Sequence, residues 1–281
     1  GLSLAFTEEE EELLFKRIEA RQAMGAPIKF ISGRKAQLLE PGLNNSVRSA
    51  AWCNKDGFTI AYLTGHAFRR ALKQENVSVR EYSKVNKIEI EKNYFKIIFE
   101  NNEHLKAKRI VLAGGVWLEE MLNWLNVKIK IKCLINQLII TERMPPVMKT
   151  VLSIANGLLS LKQFDNGTVL IGGGWQGIGD KKLGGVESIP ENLIGNIRLA
   201  CHVIPKLRYG RMIRVWLGLE AETADALPII GKIPGISNAY VIGSVHSGYA
   251  SGPYMGWLLS QLIMEQEPEM PLFDPNRLIN K

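Results

Sequence analysis

Between Val127 and Ile135 the chain alternates strictly: Val127, Ile129, Ile131, Cys133 and Ile135 are apolar, while Lys128, Lys130 and Lys132 between them are charged. In a strand, successive side chains point to opposite sides, so this run buries one face and wets the other. It calls for an antiparallel sheet over a core, and a one-residue slip would bury three lysines. Leu138 to Thr141 continues the strand. Leu158 to Phe164 and Thr168 to Ile171 flank Asn166-Gly167, a strong hairpin signal.

The flanks read differently. Thr7 followed by Glu10 is a capping box with the acidic run Glu8 to Glu12 behind it, so residues 7–24 are expected to be a helix ending at Gly25. Glu40-Pro41-Gly42-Leu43 is a turn, residues 62–75 a second helix, and Val77 to Val79 a short strand. Ile88 and Ile90 against Phe95, Ile97 and Phe99 predict a hairpin with one wet face. Ile110 to Ala113 is wholly apolar and runs into Gly114-Gly115, which predicts a buried parallel strand arriving at a ligand. Residues 191–201 read as a helix, Arg214 to Leu217 and Tyr240 to Gly243 as strands, and about Gly252 to Met264 as a closing helix. Alternating α/β pieces (55–115 and 216–265) thus bracket a strand-rich block (126–215), as when one domain is inserted into another.

With 281 residues, 46% hydrophobic and 22% charged, the chain can bury a real core. Its longest apolar runs, such as Gly256 to Met264, are too short to span a bilayer, and no signal-peptide pattern opens it. Cys53, Cys133 and Cys201 are scattered and the four histidines dispersed, so neither a disulfide framework nor a protein-bound metal is expected, and reduced thiols suit the cytoplasm. The net charge of +7 is spread along strands and helices without an aromatic-interleaved basic tract, so nucleic-acid binding is not expected. Gly1-Leu2-Ser3-Leu4-Ala5-Phe6 starts without Met and reads as the middle of a domain.

Gly172-Gly173-Gly174-Trp175-Gln176-Gly177 matches GxGxxG and follows a strand. What comes next, Gly179 to Gly185, cannot open a helix, so no helix N-terminus awaits a pyrophosphate. The run is expected to be a glycine-rich strand end and wide loop.

Three separated segments carry a resemblance. Arg109 to Trp117 is similar to a strand-turn of the D-amino-acid-oxidase superfamily of FAD enzymes. Trp216-Leu217-Gly218-Leu219, running through Thr223, Asp225 and Leu227 to Gly231, resembles a second motif of that family. Tyr240 to Tyr249, with Pro253, Gly256 and Leu259, resembles its closing strand and helix. The stretch from Leu159 through Trp175 is most similar to the branch holding opine oxidases, hydrogen cyanide synthase and D-hydroxyproline dehydrogenase subunits, with sarcosine oxidase β-subunits and glycine oxidase as near relatives.

The resemblance implies an α/β fold with an α+β insert: a partial FAD-binding, Rossmann-like domain interleaved with an antiparallel-sheet substrate domain. By it, 1–54 is the helical part of the substrate domain, 55–125 part of the FAD domain, 126–215 the antiparallel substrate domain, and 216–281 the rest of the FAD domain. Val85 would touch the adenine, and Ala113, Gly114, Gly115 and Trp117 the ribityl and diphosphate region, where a Cβ at the glycines would clash with the cofactor. Gly218, Gly243 and His246-Ser247-Gly248-Tyr249 would hold the isoalloxazine. His246 and Tyr249 are candidates at the reacting centre, and Trp175, Trp216, Arg214 and Glu220 candidates for substrate. The implied reaction is oxidation of the C–N bond of an amino acid or secondary amine, with the hydride passing to non-covalently bound flavin.

Glu220 stands where many relatives place an arginine that grips a substrate carboxylate, so that carboxylate is expected to be held elsewhere or the substrate to carry a cation. Thr223-Ala224-Asp225 replaces Thr-Pro-Asp, which should loosen a turn. No cysteine lies between Trp216 and Gly231, so a covalent flavin link is not expected there. The opening βαβ unit with its GxGxxG is expected to be missing, which would weaken or abolish FAD binding and expose an apolar surface for another copy to cover. The alternatives are a non-catalytic remnant without cofactor, and an electron-transferring subunit of a hetero-oligomeric dehydrogenase.

Overall fold

The computed structural model describes residues 1–182, 185–244 and 247–279. In chain order the elements are β1 (Leu2–Ala5), α1 (Glu8–Ala23), β2 (Ile28–Ser32), α2 (Gly33–Leu39), β3 (Ser49–Cys53), α3 (Ala61–Gln74), β4 (Val85–Ile90), β5 (Phe95–Phe99), β6 (His104–Ala107) and β7 (Ile110–Leu112). There follow α4 (Leu118–Trp124), β8 (Lys132–Thr141), β9 (Leu152–Ile154), β10 (Ser160–Gln163), β11 (Val169–Gly172), β12 (Ile178–Asp180) and β13 (Gly185–Glu187). The chain closes with α5 (Pro190–Val203), β14 (Met212–Glu222), β15 (Ile229–Lys232), β16 (Ala239–Gly243) and α6 (Gly248–Ile263). The fold is mixed α/β and divides into two compact units: Gly1–Ala71 with Ile135–Gly218, and Leu72–Leu134 with Leu219–Lys281.

The first unit is built on a mostly antiparallel sheet ordered β14-β8-β11-β10-β9-β1-β3-β2, in which β1 and β9 run parallel. Residues 1–54 therefore contribute three strands to this sheet as well as α1 and α2. The short, apolar Leu2 to Ala5 is read more easily as a loop end than as a strand. On one face Leu2, Leu4, Ile139, Leu152, Leu161 and Ile171 pack with Ala200, Val203 and Ile204 of the α5 region. On the other, α1 buries Leu14 and Ile18 against Ala51 and Cys53. Thr7 caps α1 by accepting the Glu10 N–H at 3.2 Å. The Glu10 carboxylate accepts from the Phe6 N–H at 2.8 Å, one residue earlier than a standard capping box. The expected hairpin forms between β10 and β11, with Gly167 at φ +88°.

The second unit holds the three-stranded sheets β15-β16-β7 and β4-β5-β6. Its core gathers Ile88, Phe95, Leu112, Leu118, Leu122, Ile229 and Val241. The lysine alternation keeps its burial pattern here, since Val127, Ile129 and Ile131 are all buried in that core, but the strand begins only at Lys132. The Ile131 N–H is taken by the Glu119 carboxylate at 3.0 Å instead of a neighbouring strand.

Three further expectations are corrected. Val77 to Val79 is no strand: the Val77 N–H closes α3 onto the Leu72 carbonyl, and both valines are about half exposed with no strand beside them. β7 does run parallel to β16, but it has a single neighbour among the described residues, so Val111 is 42% exposed and not buried. The closing helix starts at Gly248, four residues earlier than expected, and accommodates Gly252 and Pro253 within its first turns.

Candidate functional site

In the second unit, parallel register pairs Ala239 with Ile110, Tyr240 with Val111 and Val241 with Leu112. β7 ends at Leu112, opposite Val241, and Ala113-Gly114-Gly115 follows it, while β16 runs on beside β15 to Gly243 before Ser244 leaves its carboxyl end. In open parallel sheets ligands bind outside the carboxyl ends of strands. The turn after β16 leads within a few residues into the N-terminus of α6. Ser247 occupies its N-cap at φ +74° and gives no side-chain cap, while its carbonyl accepts from the Ala250 and Ser251 N–H groups.

Two features of this turn suit a ligand with polar edges. Ser244 is 3% exposed, sits at φ +53°, and its Oγ finds no hydrogen-bond partner among the described residues. A buried hydroxyl without a partner costs free energy unless something fills that role. The start of α6 adds the positive end of a dipole. Sequence reasoning missed Ser244, because a serine after a strand-end glycine carries no signal until its burial is known.

The glycines divide. Gly243 has φ +156°, and a Cβ there would lie 2.5 Å from Leu118 Cδ1, so it lets α4 close onto the strand end. At Gly114 a Cβ would run into the Met121 sulfur, near the end of a flexible side chain. Gly115, at φ +56°, faces open space and is needed for its backbone conformation. Trp117 closes the 3-10 turn after it and is half exposed. Val85 opens β4 opposite Phe99 and packs on the core, with a register shift right after it. Tyr249, in the first turn of α6, is 54% exposed. His246 lies outside the described residues.

In the first unit, Arg214, Trp216 and Gly218 share one face of β14, because Val215 between them packs against the main core. A Cβ on Gly218 would sit 3.7 Å from Leu138 Cδ1, and one on Gly172 would sit 3.4 Å from Leu138 Cδ2. Trp175 donates from Nε1 to the Leu158 carbonyl at 2.8 Å and lays its ring edge against Gly195 of α5, which makes it a fixed wall. Glu220, farther along β14, is half-buried and belongs to the second unit. The glycine run opens no helix, as expected, but the wide loop expected after it is corrected: the chain continues into the β12–β13 hairpin, with Gly173, at φ +137°, lying against the Leu158 backbone.

The sequence profile of the family described as "DAO: FAD dependent oxidoreductase" matches residues 1–262, and the chain belongs to that family. Among curated relatives, it is 22% identical over 286 residues to the glycine oxidase of Geobacillus kaustophilus, covering 100% of this chain and 74% of that one. It is 26% identical over 250 residues to an opine oxidase subunit of Rhizobium meliloti, covering 88% of this chain and 64%, less than two thirds, of that relative. The solved L-proline dehydrogenase of P. horikoshii shares the fold, with a TM-score of 0.90 and 24% identity, over 98% of this chain and 75% of that one. The family's cofactor is FAD, and no helix among the described residues is long and apolar enough to cross a membrane.

Proposed function

We propose that the protein oxidises the C–N bond of an amino acid or secondary amine of the sarcosine, opine or D-amino-acid kind. The single observation that carries this reading is the parallel pairing of β7 with β16, which puts the strand before Ala113-Gly114-Gly115 alongside the strand that runs to Gly243. The relatives' names, a glycine oxidase, an opine oxidase subunit and an L-proline dehydrogenase, agree on the substrate class.

When bound, FAD supplies the hydride acceptor. On this reading the second unit is the flavin unit. Val85 would meet the adenine through its backbone, Ala113 to Trp117 would line the ribityl and diphosphate region, and Gly243, His246, Ser247 and Gly248 would hold the ring. Ser244 Oγ offers a hydrogen bond, and the first N–H groups of α6 stabilise negative charge developing at the ring edge. The first unit is the substrate unit, where Trp175 and Trp216 wall the substrate and exclude water while Arg214 supplies charge; Glu220, in the second unit, is a further candidate for the substrate. His246 and Tyr249 stand at the reacting centre as orienting groups, since hydride transfer from carbon needs no acid or base of fixed identity.

The protein isolated from its native source tests the reading. Bound flavin whose absorbance bleaches anaerobically on adding sarcosine, an opine or a D-amino acid is the expected result. Flavin that stays oxidised with all three overturns it. The designation of the Rhizobium relative as a subunit favours a second arrangement, in which electrons pass to a partner protein. Reoxidation by oxygen slower than turnover in the native complex distinguishes that case, and the mass of the native assembly reports whether the partner is another copy.

A further inference from the structure

The first unit's sheet has a second face, turned away from its main core, that α1 covers at β1, β2 and β3 and beside Ala155 after β9. On the remaining strands, ladder register aligns Lys162 of β10 with Leu170 of β11 and Ile140 of β8. The adjacent row is small: Ser153, Ser160 and Gly172 are in register, and Leu138 follows, flanked by Gly172 and Gly218. Beyond it, Trp216 and Arg214 project on the same side of β14 as Gly218. The result is a low floor of serine and glycine with a cation at one side and an indole at the other.

Lys162 is the unexplained group on this face. Its side chain is half-buried, with Nζ 5.8 Å from the centre of the Phe58 ring, and Phe58 packs edge-on against Phe164 at 5.4 Å. Among the described residues it has no carboxylate partner and no hydrogen-bond acceptor. Burial pushes its amine below the ordinary lysine range. A partly desolvated ammonium without a counter-charge is costly, and a face of the sheet that keeps one is prepared for an anion. Arg214 lies on the same side but is exposed, where water and salt weaken its pull on a carboxylate. Glu220 cannot take a carboxylate at all.

We infer that Lys162 binds the carboxylate of the substrate on this face. The inference rests on the amine-oxidising reading for the word "substrate", and on the sheet face alone for the anion site.

The test uses the flavin-containing protein and Lys162→Met, which keeps the stem over Phe58 and removes the charge. Acetate binding is followed at equilibrium by tryptophan fluorescence, and turnover is compared for sarcosine and its methyl amide. In K162M acetate affinity should fall on the order of 10- to 100-fold, the cost of one charged hydrogen bond. The KM for sarcosine should rise similarly with kcat nearly unchanged, the amide should be unaffected, and Lys162→Arg should restore most of the loss. Unchanged acetate binding in K162M overturns the inference. So does equal damage to acid and amide, or a selective loss in Arg214→Leu instead. If acetate binding depends on Lys162 but no amine bleaches the flavin, the anion site stands and the reaction assignment falls.

Discussion

Replacing Asp225 with Asn should unfasten the turn between β14 and β15. Arg277 donates from Nε to Asp225 Oδ2 at 2.9 Å and from Nη2 to Oδ1 at 3.2 Å, a bidentate pair. The same guanidinium reaches the carbonyls of Leu227, Pro228, Phe273 and Asp274. Asp225 also accepts from the Thr223 hydroxyl at 2.9 Å and the Leu227 N–H at 3.1 Å. The Thr223-Ala224-Asp225 turn, expected to be loose without its proline, is instead held by the segment that follows α6. Both side chains are about a quarter exposed (23% and 29%), so the pair falls between a surface bridge and a buried one. We take about 2 kcal/mol for the loss, which lowers Tm by roughly 4–8 °C in a chain of this size. The effect has a pH signature. The Arg277 hydrogen bond first, with those from Leu227 and Thr223, lowers the Asp225 pKa from 3.8 to about 2. Because the folded pKa is the depressed one, the contribution is fully present above 3.8 and fades as pH falls through about 2. Urea unfolding of native and D225N protein at pH 7 and at stepped acid pH should show a gap that is constant near neutrality and closes in acid. Equal stability at pH 7, or a gap that persists to the lowest pH, refutes the reasoning.

Glu40 is 1% exposed and accepts from the Lys149 N–H at 2.6 Å, the Thr150 N–H at 2.9 Å and the Thr150 hydroxyl at 3.0 Å. Glu40→Ala should cost about 3–5 kcal/mol and Glu40→Gln, which keeps a carbonyl oxygen, about 1–2 kcal/mol, read as shifts in urea midpoint at constant m. Ser244→Ala removes an orphaned buried hydroxyl, so stability without cofactor should change by less than about 0.5 kcal/mol. FAD affinity, measured by quenching of flavin fluorescence, should nevertheless fall several-fold. Gly243→Ala should cost about 2–4 kcal/mol from its φ and the contact with Leu118. Adding Leu118→Ala should relieve the steric share in a double-mutant cycle.

What the sequence shows well is what repeats or caps. The β10–β11 hairpin follows from Asn166-Gly167, α1 from Thr7 and its acidic first turn, and the buried face of residues 127–131 from alternation with lysine. What it hides depends on partners far along the chain. β1 and β9 are short and lie next to each other, although some 150 residues separate Leu2 from Leu152. Val77 and Val79 have strand-forming side chains but no neighbour to pair with. Pro253 and its flanking glycines look like helix breakers, yet the contacts of Met255, Leu258 and Leu259 with Tyr240 outweigh weak propensity. Lys162 reads in sequence only as a polar residue on an alternating strand, and its lack of a counter-charge shows only in three dimensions.

The case for a cofactor at the end of β16 consequently shifts its footing. Read from sequence, Gly114-Gly115 argue for a ligand passing close to the backbone, and Gly243 is a cofactor-binding candidate. In the folded chain protein side chains already crowd two of these three positions, Met121 at Gly114 and Leu118 at Gly243. A glycine required by its neighbours is no evidence for an absent group. Register and satisfaction of polar groups remain: two parallel strands with their carboxyl ends on one side, a hydroxyl buried without a partner at Ser244, and a helix that opens without a side-chain cap at Ser247. The orphaned hydroxyl is a cost that packing does not repay, and a ligand with a polar edge would offset it. Ser244→Ala is therefore more decisive than any glycine substitution, because it separates cofactor affinity from fold stability.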